Sequence, residues 1–229
     1  YHAWTEINVP QRPFEIENVD TVTVPLAQSG YTTEYLRYRI TINDRPNETN
    51  YYRIVIDKQT TLWGYNHEEG GDDYIYWTKH SYNFIGREDV VLTDGQPTTG
   101  DDEDNGLFDT AKNIYGVFDD TRFRNTSYTM TVYNNTKIET GSDSGYFSGM
   151  DVIIRLMSIT ETEYYYLKAL NLVDSDAYDE TINEPIKYPS NVHGGTGMVG
   201  ISTEVTQTIH IISSSHSKGN LAPPVHVYQ

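Results

Sequence analysis

Apolar and polar residues alternate along two early segments of the chain, residues 36–42 and 51–56. A period of two is typical of a strand with one buried face, because successive side chains in a strand point to opposite sides. The loop between the two segments is polar and contains Pro46, which suits a turn. We therefore predict that the segments pair as an antiparallel hairpin and that Tyr52 faces the core.

The later part of the chain contains both strand and helix patterns. Residues 152–157 are mostly apolar on both alternating faces, which predicts a central strand covered on both sides. A helix is predicted at about residues 160–172, because Thr160 and Glu163 have the spacing of a capping box and apolar residues then recur at helical spacing. Further strands are predicted at residues 127–133 and, as a pair broken near Thr203, at residues 199–212.

These elements predict a mainly β protein: an antiparallel β-sandwich or flattened barrel of roughly eight to ten strands with one packed α-helix. The length of 229 residues suffices for one large β domain, and no repeat or change of composition marks a boundary. We predict a single domain over residues 1–229, with a loose N-terminal strap at 1–20 and a C-terminal tail at 213–229. The 20 Tyr residues agree with a β-rich protein, because Tyr favours strands.

Charge and composition exclude several classes of function. The formal net charge of −17 repels phosphate backbones and anionic lipid, so neither nucleic-acid binding nor a polybasic membrane contact is expected. The sequence contains no Cys, which excludes disulfides, thiolate metal sites and cysteine nucleophiles. No apolar run is long enough for a membrane-spanning helix. The chain begins at Tyr1 without a signal sequence, so we interpret it as a mature fragment or an expressed piece.

Residues 61–84 are rich in aromatic side chains and show no regular period. Exposed rings can stack on sugars or peptides, so this segment is the leading candidate for a ligand-binding surface. The candidate ligand-binding residues are Trp63, Tyr65, Tyr74, Tyr76 and Trp77. In the alternative interpretation, Tyr74 and Tyr76 belong to the core and the other rings cover an edge of a sheet.

An acidic loop at residues 94–106 offers oxygen ligands for a metal ion. Asp101, Glu103 and Asn105 have the spacing that begins a calcium-binding loop. The closing position of that pattern is Lys112, a cation, which favours a solvated acidic loop instead. Calcium is therefore the one cofactor considered, and otherwise none is expected.

The sequence assigns no catalytic residue. His80, Asp119 and Ser144 occur in the order of one serine-hydrolase triad, but a triad is defined by geometry and not by order. Gly, Ser and Asp around Ser144 are the residues of an ordinary turn. Paired carboxylates for glycoside hydrolysis are compatible with 33 acidic residues, although their spacing in the sequence does not give their separation in space.

Two segments resemble a known family. In residues 183–200, a Glu-Pro step leads into Ser-Asn and a Gly-x-Gly, and in residues 41–53 a polar turn leads into Asn-Tyr-Tyr-Arg. Both are similar to hallmark segments of an outer-membrane lipoprotein family of Bacteroidota, domain of unknown function 4249. Asn47 stands where the family usually has Gly, and Asn tolerates left-handed backbone geometry. The residues that carry the resemblance are Asn50, Tyr51, Tyr52, Arg53, Glu184, Pro185, Ser190, Asn191, Gly195 and Gly197.

The resemblance implies a location and a role. It covers most of this chain but only the later part of the family's length, without the immunoglobulin-like region and the lipid-attachment Cys that family members carry near the N-terminus. It implies a lipid-anchored, non-enzymatic domain at the cell surface that binds a ligand or assembles with other surface lipoproteins and a TonB-dependent nutrient transporter. The resemblance implies a nutrient ligand without specifying it, and the aromatic segment at residues 61–84 adds a glycan or a peptide as the ligand class. Two alternatives stay open: a surface hydrolase of glycans or peptides, and an adhesin or structural subunit of a surface complex.

Overall fold

The structure is a computed structural model that describes residues 2–28, 31–66, 73–84, 86, 89–95, 113–135, 146–174 and 186–211. Its strands are β1 (Asn18–Gln28), β2 (Tyr31–Asn43), β3 (Tyr51–Asn66), β4 (Asp73–Ser81), β5 (Val117–Asp119), β6 (Ser127–Asn135), β7 (Tyr146–Ile159) and β8 (Thr203–Ile211), and its helix is α1 (Glu161–Val173). The prediction of a mainly β protein with antiparallel sheets and one helix is confirmed, and the described strands form open sheets rather than a closed barrel.

The strands form two sheets. One has the order β1-β2-β6, and its neighbours run antiparallel with Asn18 opposite Thr41 and Thr41 opposite Thr129. The other has the order β4-β3-β7-β8, and β5 pairs antiparallel with the beginning of β3. The place of β7 between β3 and β8 agrees with the prediction of a central strand.

The described residues divide into two compact units. The first lies within Tyr1–Val55, Asn83–Thr136 and Ile154–Gln207, and the second within Ile56–Tyr82, Lys137–Ile153 and Thr208–Gln229. In the first unit an aromatic row crosses the core: the ring of Tyr52 lies 5.4 Å from that of Phe118, and the ring of Phe123 lies 5.3 Å from that of Tyr128. Because Tyr52 belongs to β3 and Tyr128 to β6, the row connects the two sheets within this unit.

The predicted hairpin between residues 36–42 and 51–56 is wrong. Residues 36–42 lie in β2, which pairs with β1 and β6, whereas residues 51–56 begin β3, which pairs with β4 and β5. Alternation predicts the buried face of each strand, but it leaves the partner strand undetermined. The face itself is as predicted, because Tyr38, Ile40 and Tyr52 are all buried.

The loop that carries the chain from β2 to β3 is held by two buried carboxylates. Asp120 accepts hydrogen bonds from the backbone N–H of Asn50 at 2.8 Å and from its side-chain amide at 3.0 Å. Asp44 accepts one from the backbone N–H of Asn125 at 2.8 Å. Asn47 has a φ of 71°, the left-handed geometry that its short polar side chain tolerates. These contacts fix the point where the chain leaves one sheet and enters the other.

The helix follows its sequence signals. The Thr160 hydroxyl accepts a hydrogen bond from the backbone N–H of Glu163 at 3.2 Å, which caps the first turn. Tyr164 and Leu167 pack against Val117 in the core of the first unit. This helix is too short and too polar to cross a bilayer.

Three other predictions about elements need correction. Residues 61–84 are largely regular, because β3 continues to Asn66 and β4 follows. The end of the described chain has one strand, β8, where a pair was predicted over residues 199–212. Strand β1 begins at Asn18, inside the predicted strap, and the tail at 213–229 lies outside the described residues.

The N-terminal segment lies along the segment before β8. Backbone hydrogen bonds join Trp4 and His193 at 2.8 and 3.1 Å, and their rings stack at 4.3 Å. The Thr5 hydroxyl donates to the backbone oxygen of Asn191 at 2.6 Å. Further along, the Thr203 hydroxyl donates to the backbone oxygen of Pro10 at 3.2 Å. The segment before β1 is therefore tied down at several points.

Candidate functional site

The hairpin of β3 and β4 in the second unit has one side that is buried along β3 and one mixed side. On the mixed side Asp57 and Trp63 are buried, and the other described positions are partly or fully open to solvent. On the buried side, the β3 residues are Ile56, Lys58, Thr60 and Leu62. On the other side, Gln59 and Thr61 of β3 are partly exposed, and Tyr76, Thr78 and His80 of β4 are exposed. Gln59 lies opposite His80 in the register, and Thr61 lies opposite Thr78. We call the set Gln59, Thr61, Tyr76, Thr78, His80 and Tyr82 the hairpin face.

A buried carboxylate orients the imidazole on this face. Asp57 is 2% exposed, and its two carboxylate oxygens lie 3.0 and 3.2 Å from Nδ1 of His80. The side-chain amide of Gln59 donates a hydrogen bond to Asp57 Oδ2 at 2.7 Å. A carboxylate bound to Nδ1 sets the orientation of the ring and leaves Nε2 as the nitrogen available to a ligand. Asp57 and Gln59 therefore hold His80 in one orientation.

Two tyrosines flank the oriented imidazole. Tyr76 is 49% exposed, and Tyr82 is 57% exposed. The rings of His80 and Tyr82 have centroids 6.1 Å apart and are inclined by only 20°. The face therefore has two adjacent, nearly parallel rings, and the ring of Tyr76 lies further along β4. Such an arrangement offers apolar surface beside a small number of oriented polar groups, which is the general composition of a ligand site.

The five aromatic candidates from the sequence occupy different environments. Trp63 is 4% exposed and therefore buried. It lies opposite Tyr76 in the register. Tyr76 is 49% exposed, so it does not belong to the core as the alternative interpretation proposed. Trp77 is half buried and pairs with Leu62 on the other face. Tyr65 and Tyr74 pair with each other in the backbone register, and their side chains lie outside the described part of the structure. Tyr76 is thus the candidate whose described ring is open to a ligand.

The predicted metal ligands Asp101, Glu103 and Asn105 lie outside the described residues. Within the residues that the structure describes, no three His, Asp or Glu side chains converge as metal ligands would. Calcium binding by the acidic loop stays a prediction.

The triad order His80, Asp119, Ser144 has no counterpart in the described contacts. His80 is bound by Asp57, and Asp119 instead accepts hydrogen bonds from the Tyr164 hydroxyl at 3.2 Å and the Thr121 backbone N–H at 2.9 Å. Ser144 lies outside the described residues.

The residues that carried the family resemblance hold loops. The Asn191 side chain donates to the backbone oxygen of Val199 at 2.8 Å and accepts from its N–H at 2.9 Å, which closes the glycine-rich segment. The Ser190 hydroxyl donates to the backbone oxygen of Gly197 at 2.8 Å, and Gly197 has a φ of 126°. Gly195 lies within the same closed segment. Glu184 and Pro185 lie outside the described residues.

The early motif has the same structural role. Asn50 and Tyr52 belong to the loop and core contacts described above. The Tyr51 hydroxyl donates to Glu161 at 2.9 Å, and the Arg53 Nε donates to the backbone oxygen of Tyr115 at 3.1 Å. Tyr51 thus ties the beginning of β3 to α1, and Arg53 ties it to the segment before β5.

An open cavity of about 590 Å³ lies in the first unit and is lined by Val91, Asp94, Asp119, Thr121 and Arg122. Its charges already have partners in the protein. The Arg122 guanidinium donates to the backbone oxygen of Asp94 at 2.5 Å, and Lys168 forms an ion pair with the Asp94 carboxylate. A ligand there would have to displace these contacts, so the hairpin face is the stronger candidate.

Glu163 has an unfavourable environment for its charge. Burial raises the pKa of its carboxyl, and the charge of Arg53 and the backbone N–H of Ile201 offset part of that shift. Its Oε2 is buried, and no described residue donates a hydrogen bond to it. Gly200 leaves room for this carboxylate, because a Cβ at that position would lie 2.8 Å from Oε2.

Glu163→Gln is expected to flatten the dependence of stability on pH. Because the folded-state pKa lies above the ordinary value of 4.5, the folded state binds the proton more tightly. This contribution to stability is fully present below pH 4.5 and is lost as the pH rises through the folded-state pKa. Urea unfolding between acidic and neutral pH measures the effect. Glu6→Gln, at an exposed position, is the control for the loss of one carboxylate, and a larger loss of neutral-pH stability in Glu163→Gln than in the control would contradict the assignment.

The sequence did not identify Asp57, Gln59 or Tyr82 as members of the site. A partial signal exists, because Gly70 and Gly71 are typical of a turn between two strands. A hairpin centred on these two glycines would place Gln59 opposite Tyr82, two residues from the observed register, in which Gln59 lies opposite His80. Counting outward from the turn would have brought Asp57 and Tyr82 to the same end of the hairpin. The irregular aromatic pattern of residues 61–84 concealed the two strands.

The fold and the site together define a mainly β, acidic protein with a neutral aromatic face on an exposed hairpin. Residues 1–208 match the family described as Domain of unknown function (DUF4249), and the chain belongs to that family. No curated protein matches the sequence.

Proposed function

We propose that this chain is a non-enzymatic, extracytoplasmic domain of a surface lipoprotein that binds a ligand for a TonB-dependent nutrient-uptake system. In this proposal the protein is held at the bacterial outer membrane by a lipid anchor outside this chain, and its partners are a TonB-dependent transporter and other surface lipoproteins. Membership of the family supports the proposal, together with the resemblance of both hallmark segments to lipoproteins of Bacteroidota. The strongly acidic composition suits a soluble domain at a cell surface.

The hairpin face is the observation that carries the binding role. The buried Asp57 fixes His80 beside the exposed ring of Tyr82, and Tyr76 extends the aromatic surface along β4. Orienting an exposed imidazole with a buried carboxylate costs desolvation of that carboxylate, and stability alone gives little reason for such an arrangement. A ligand that contacts the imidazole provides a reason.

Co-purification tests the transporter part of the proposal. The natural full-length protein, tagged and expressed in its own cells, is isolated from detergent-solubilised membranes and its partners are identified by mass spectrometry. We expect a TonB-dependent transporter to be recovered with the tagged protein, in an amount that is proportional to it. The same transporter should be absent when an unrelated surface lipoprotein is tagged and isolated in the same way. Recovery of the protein as a monomer without a transporter would contradict the accessory role.

A surface hydrolase is the second candidate, because the pair Asp57–His80 has the geometry of an oriented general base. Incubation with oligosaccharides and peptides, followed by mass spectrometry of the products, distinguishes it from a binding protein. Cleavage that is lost in His80→Ala would favour the hydrolase, whereas binding without cleavage favours the role proposed first.

A further inference from the structure

We infer that the hairpin face binds a neutral oligosaccharide; this inference rests on the binding role proposed above and specifies the ligand class. The three exposed rings of the face belong to Tyr76, His80 and Tyr82. An aromatic ring has a negative face that attracts C–H groups, and the apolar side of a pyranose ring presents such groups. The hydroxyl groups around the sugar then require hydrogen-bonding partners beside the rings.

Those partners are present on the same face. The hydroxyls of Thr61 and Thr78, opposite each other in the register, lie between Tyr76 and the pair of Gln59 and His80. Thr hydroxyls both donate and accept, as sugar hydroxyls do, and imidazole Nε2 can do either according to its protonation. Because Asp57 and Gln59 fix the imidazole, its hydrogen bond to a ligand does not require a loss of side-chain freedom on binding.

Electrostatics favours a neutral ligand over a charged one. The described carboxylate that contacts the face is that of Asp57, which is buried and already bound by Gln59 and His80. An anionic ligand would meet the overall charge of −17, and a cationic ligand would find no exposed carboxylate among the described residues of the face. A neutral ligand with apolar ring faces and many hydroxyls fits best.

The length of the face favours a chain of sugars over a single one. Tyr76 and His80 are four residues apart on one strand, which corresponds to about 13 Å. Tyr82 extends the surface beyond His80, with its ring 6.1 Å from the imidazole. One pyranose ring cannot contact both ends of such a surface, whereas an extended oligosaccharide can lie along it.

A peptide is the main competing occupant, because β4 is the last strand of its sheet among the described residues and could accept an added strand. Strand addition uses the backbone groups at the edge, however, and leaves the rings of the face without a role. The orientation of His80 by Asp57 is also unnecessary for strand addition. The arrangement of side chains therefore favours the saccharide.

Isothermal titration of the full chain with cellohexaose, xylohexaose, mannohexaose, maltohexaose and chitohexaose tests the inference. We expect at least one to bind at micromolar to millimolar concentration, and Tyr76→Ala, Tyr82→Ala and His80→Ala each to weaken that binding roughly tenfold. Tyr165→Ala, which removes a half-exposed Tyr on α1, is the matched control and should bind like the parent. Circular dichroism of each variant verifies that it is folded.

Three outcomes would overturn the inference: no neutral hexasaccharide binds to the folded protein at millimolar concentration, the three substitutions leave the affinity unchanged, or a tryptic digest of casein binds at this face in place of the sugars. The last outcome would leave the proposed binding role intact and change only the ligand class. Recovery of the transporter is a separate measurement, so a failure of the accessory role can be distinguished from a failure of the saccharide assignment.

Discussion

Tyr52→Asp is expected to leave the first unit unfolded at room temperature. Tyr52 is 2% exposed, and its ring stacks on Phe118 at 5.4 Å. Burial and the charges of Asp44 and Asp120 raise the pKa of its phenol, so the surroundings oppose a further negative charge. Loss of the ring and burial of a carboxylate together should cost more than about 5 kcal/mol, which is comparable with the whole stability of a typical domain. Circular dichroism and urea unfolding measure the result.

Two control substitutions distinguish the effect of the hydroxyl and the effect of an added charge from the effect of burying a carboxylate at position 52. Tyr52→Phe keeps the ring and removes the hydroxyl, which donates to Asp44 at 3.4 Å and is also hydrogen-bonded by the backbone of Arg45, so it should cost about 1 kcal/mol. Tyr165→Asp introduces the same charge at a half-exposed position and removes an edge contact with the ring of Tyr164 at 5.1 Å, so it should cost about 1 kcal/mol. An unchanged melting temperature for Tyr52→Asp would mean that the opposite face of β3 is buried.

Asp120→Ala is expected to lower the free energy of unfolding by about 3 kcal/mol. Asp120 is fully buried, and its substitution removes the acceptor of the Asn50 backbone N–H and the carboxylate partner of Arg124. The side-chain amide of Asn50 loses one acceptor but keeps the backbone oxygen of Arg45 at 3.2 Å. The cost therefore arises mainly from the orphaned backbone N–H and from the loss of the charged partner of Arg124. The loop between β2 and β3 should also exchange its backbone hydrogens faster, which hydrogen–deuterium exchange would detect.

Arg124→Met is the matched control for Asp120→Ala. It removes the 3.3 Å ion pair with Asp120 and the 3.0 Å hydrogen bond to the Thr49 hydroxyl, and it leaves the hydrogen bonds from Asn50 to Asp120 in place. Because the Arg124 side chain is partly exposed, the ion pair should contribute about 1 kcal/mol or less. Equal losses in the two variants would show that the ion pair, and not the pair of Asn50 donors, holds the loop.

The sequence predicted the class of fold and the buried faces, and it failed on strand partners. The alternation along β2 and β3 correctly indicated which side chains are buried, because burial on one face is a local property of a strand. The choice of partner depends on the loop held by Asp44 and Asp120, whose contacts join residues 70 or more apart in sequence. The short separation of β2 and β3 in sequence led to the prediction of a hairpin, whereas in the structure the long-range contacts of the loop direct the two strands into different sheets.

The candidate site was predicted only in part, because some of its members meet through contacts between residues that are distant in sequence. The aromatic segment and Tyr76 were recognised because aromatic residues stand out in composition. The pair of Asp57 and His80 was not recognised, because the two residues are 23 positions apart and meet only when the β3–β4 hairpin is in register. An acidic residue inside a strand pattern has no local signature that distinguishes an orienting carboxylate from a solvated one.

The family's recognisable segments and the candidate site lie in different parts of this chain. Asn50 and Asn191 close loops in the first unit, where their hydrogen bonds explain why those residue types are needed. The hairpin face lies in the second unit and contains none of the residues that carry the resemblance. A fold does not by itself define a function, and here the segments that identify the fold contribute to stability. Ligand specificity is therefore expected to reside in the hairpin.

The central claim is that the exposed side of the β3–β4 hairpin is the ligand-binding surface. Nuclear magnetic resonance of the isotope-labelled chain, titrated with the hexasaccharide that binds most tightly, tests it residue by residue. We predict that the signals of Tyr76, Thr78, His80 and Tyr82 shift together and saturate at one dissociation constant, while those of Tyr165 and Asn191 stay in place. Shifts confined to the cavity around Asp94 and Arg122, or to α1, would contradict the claim.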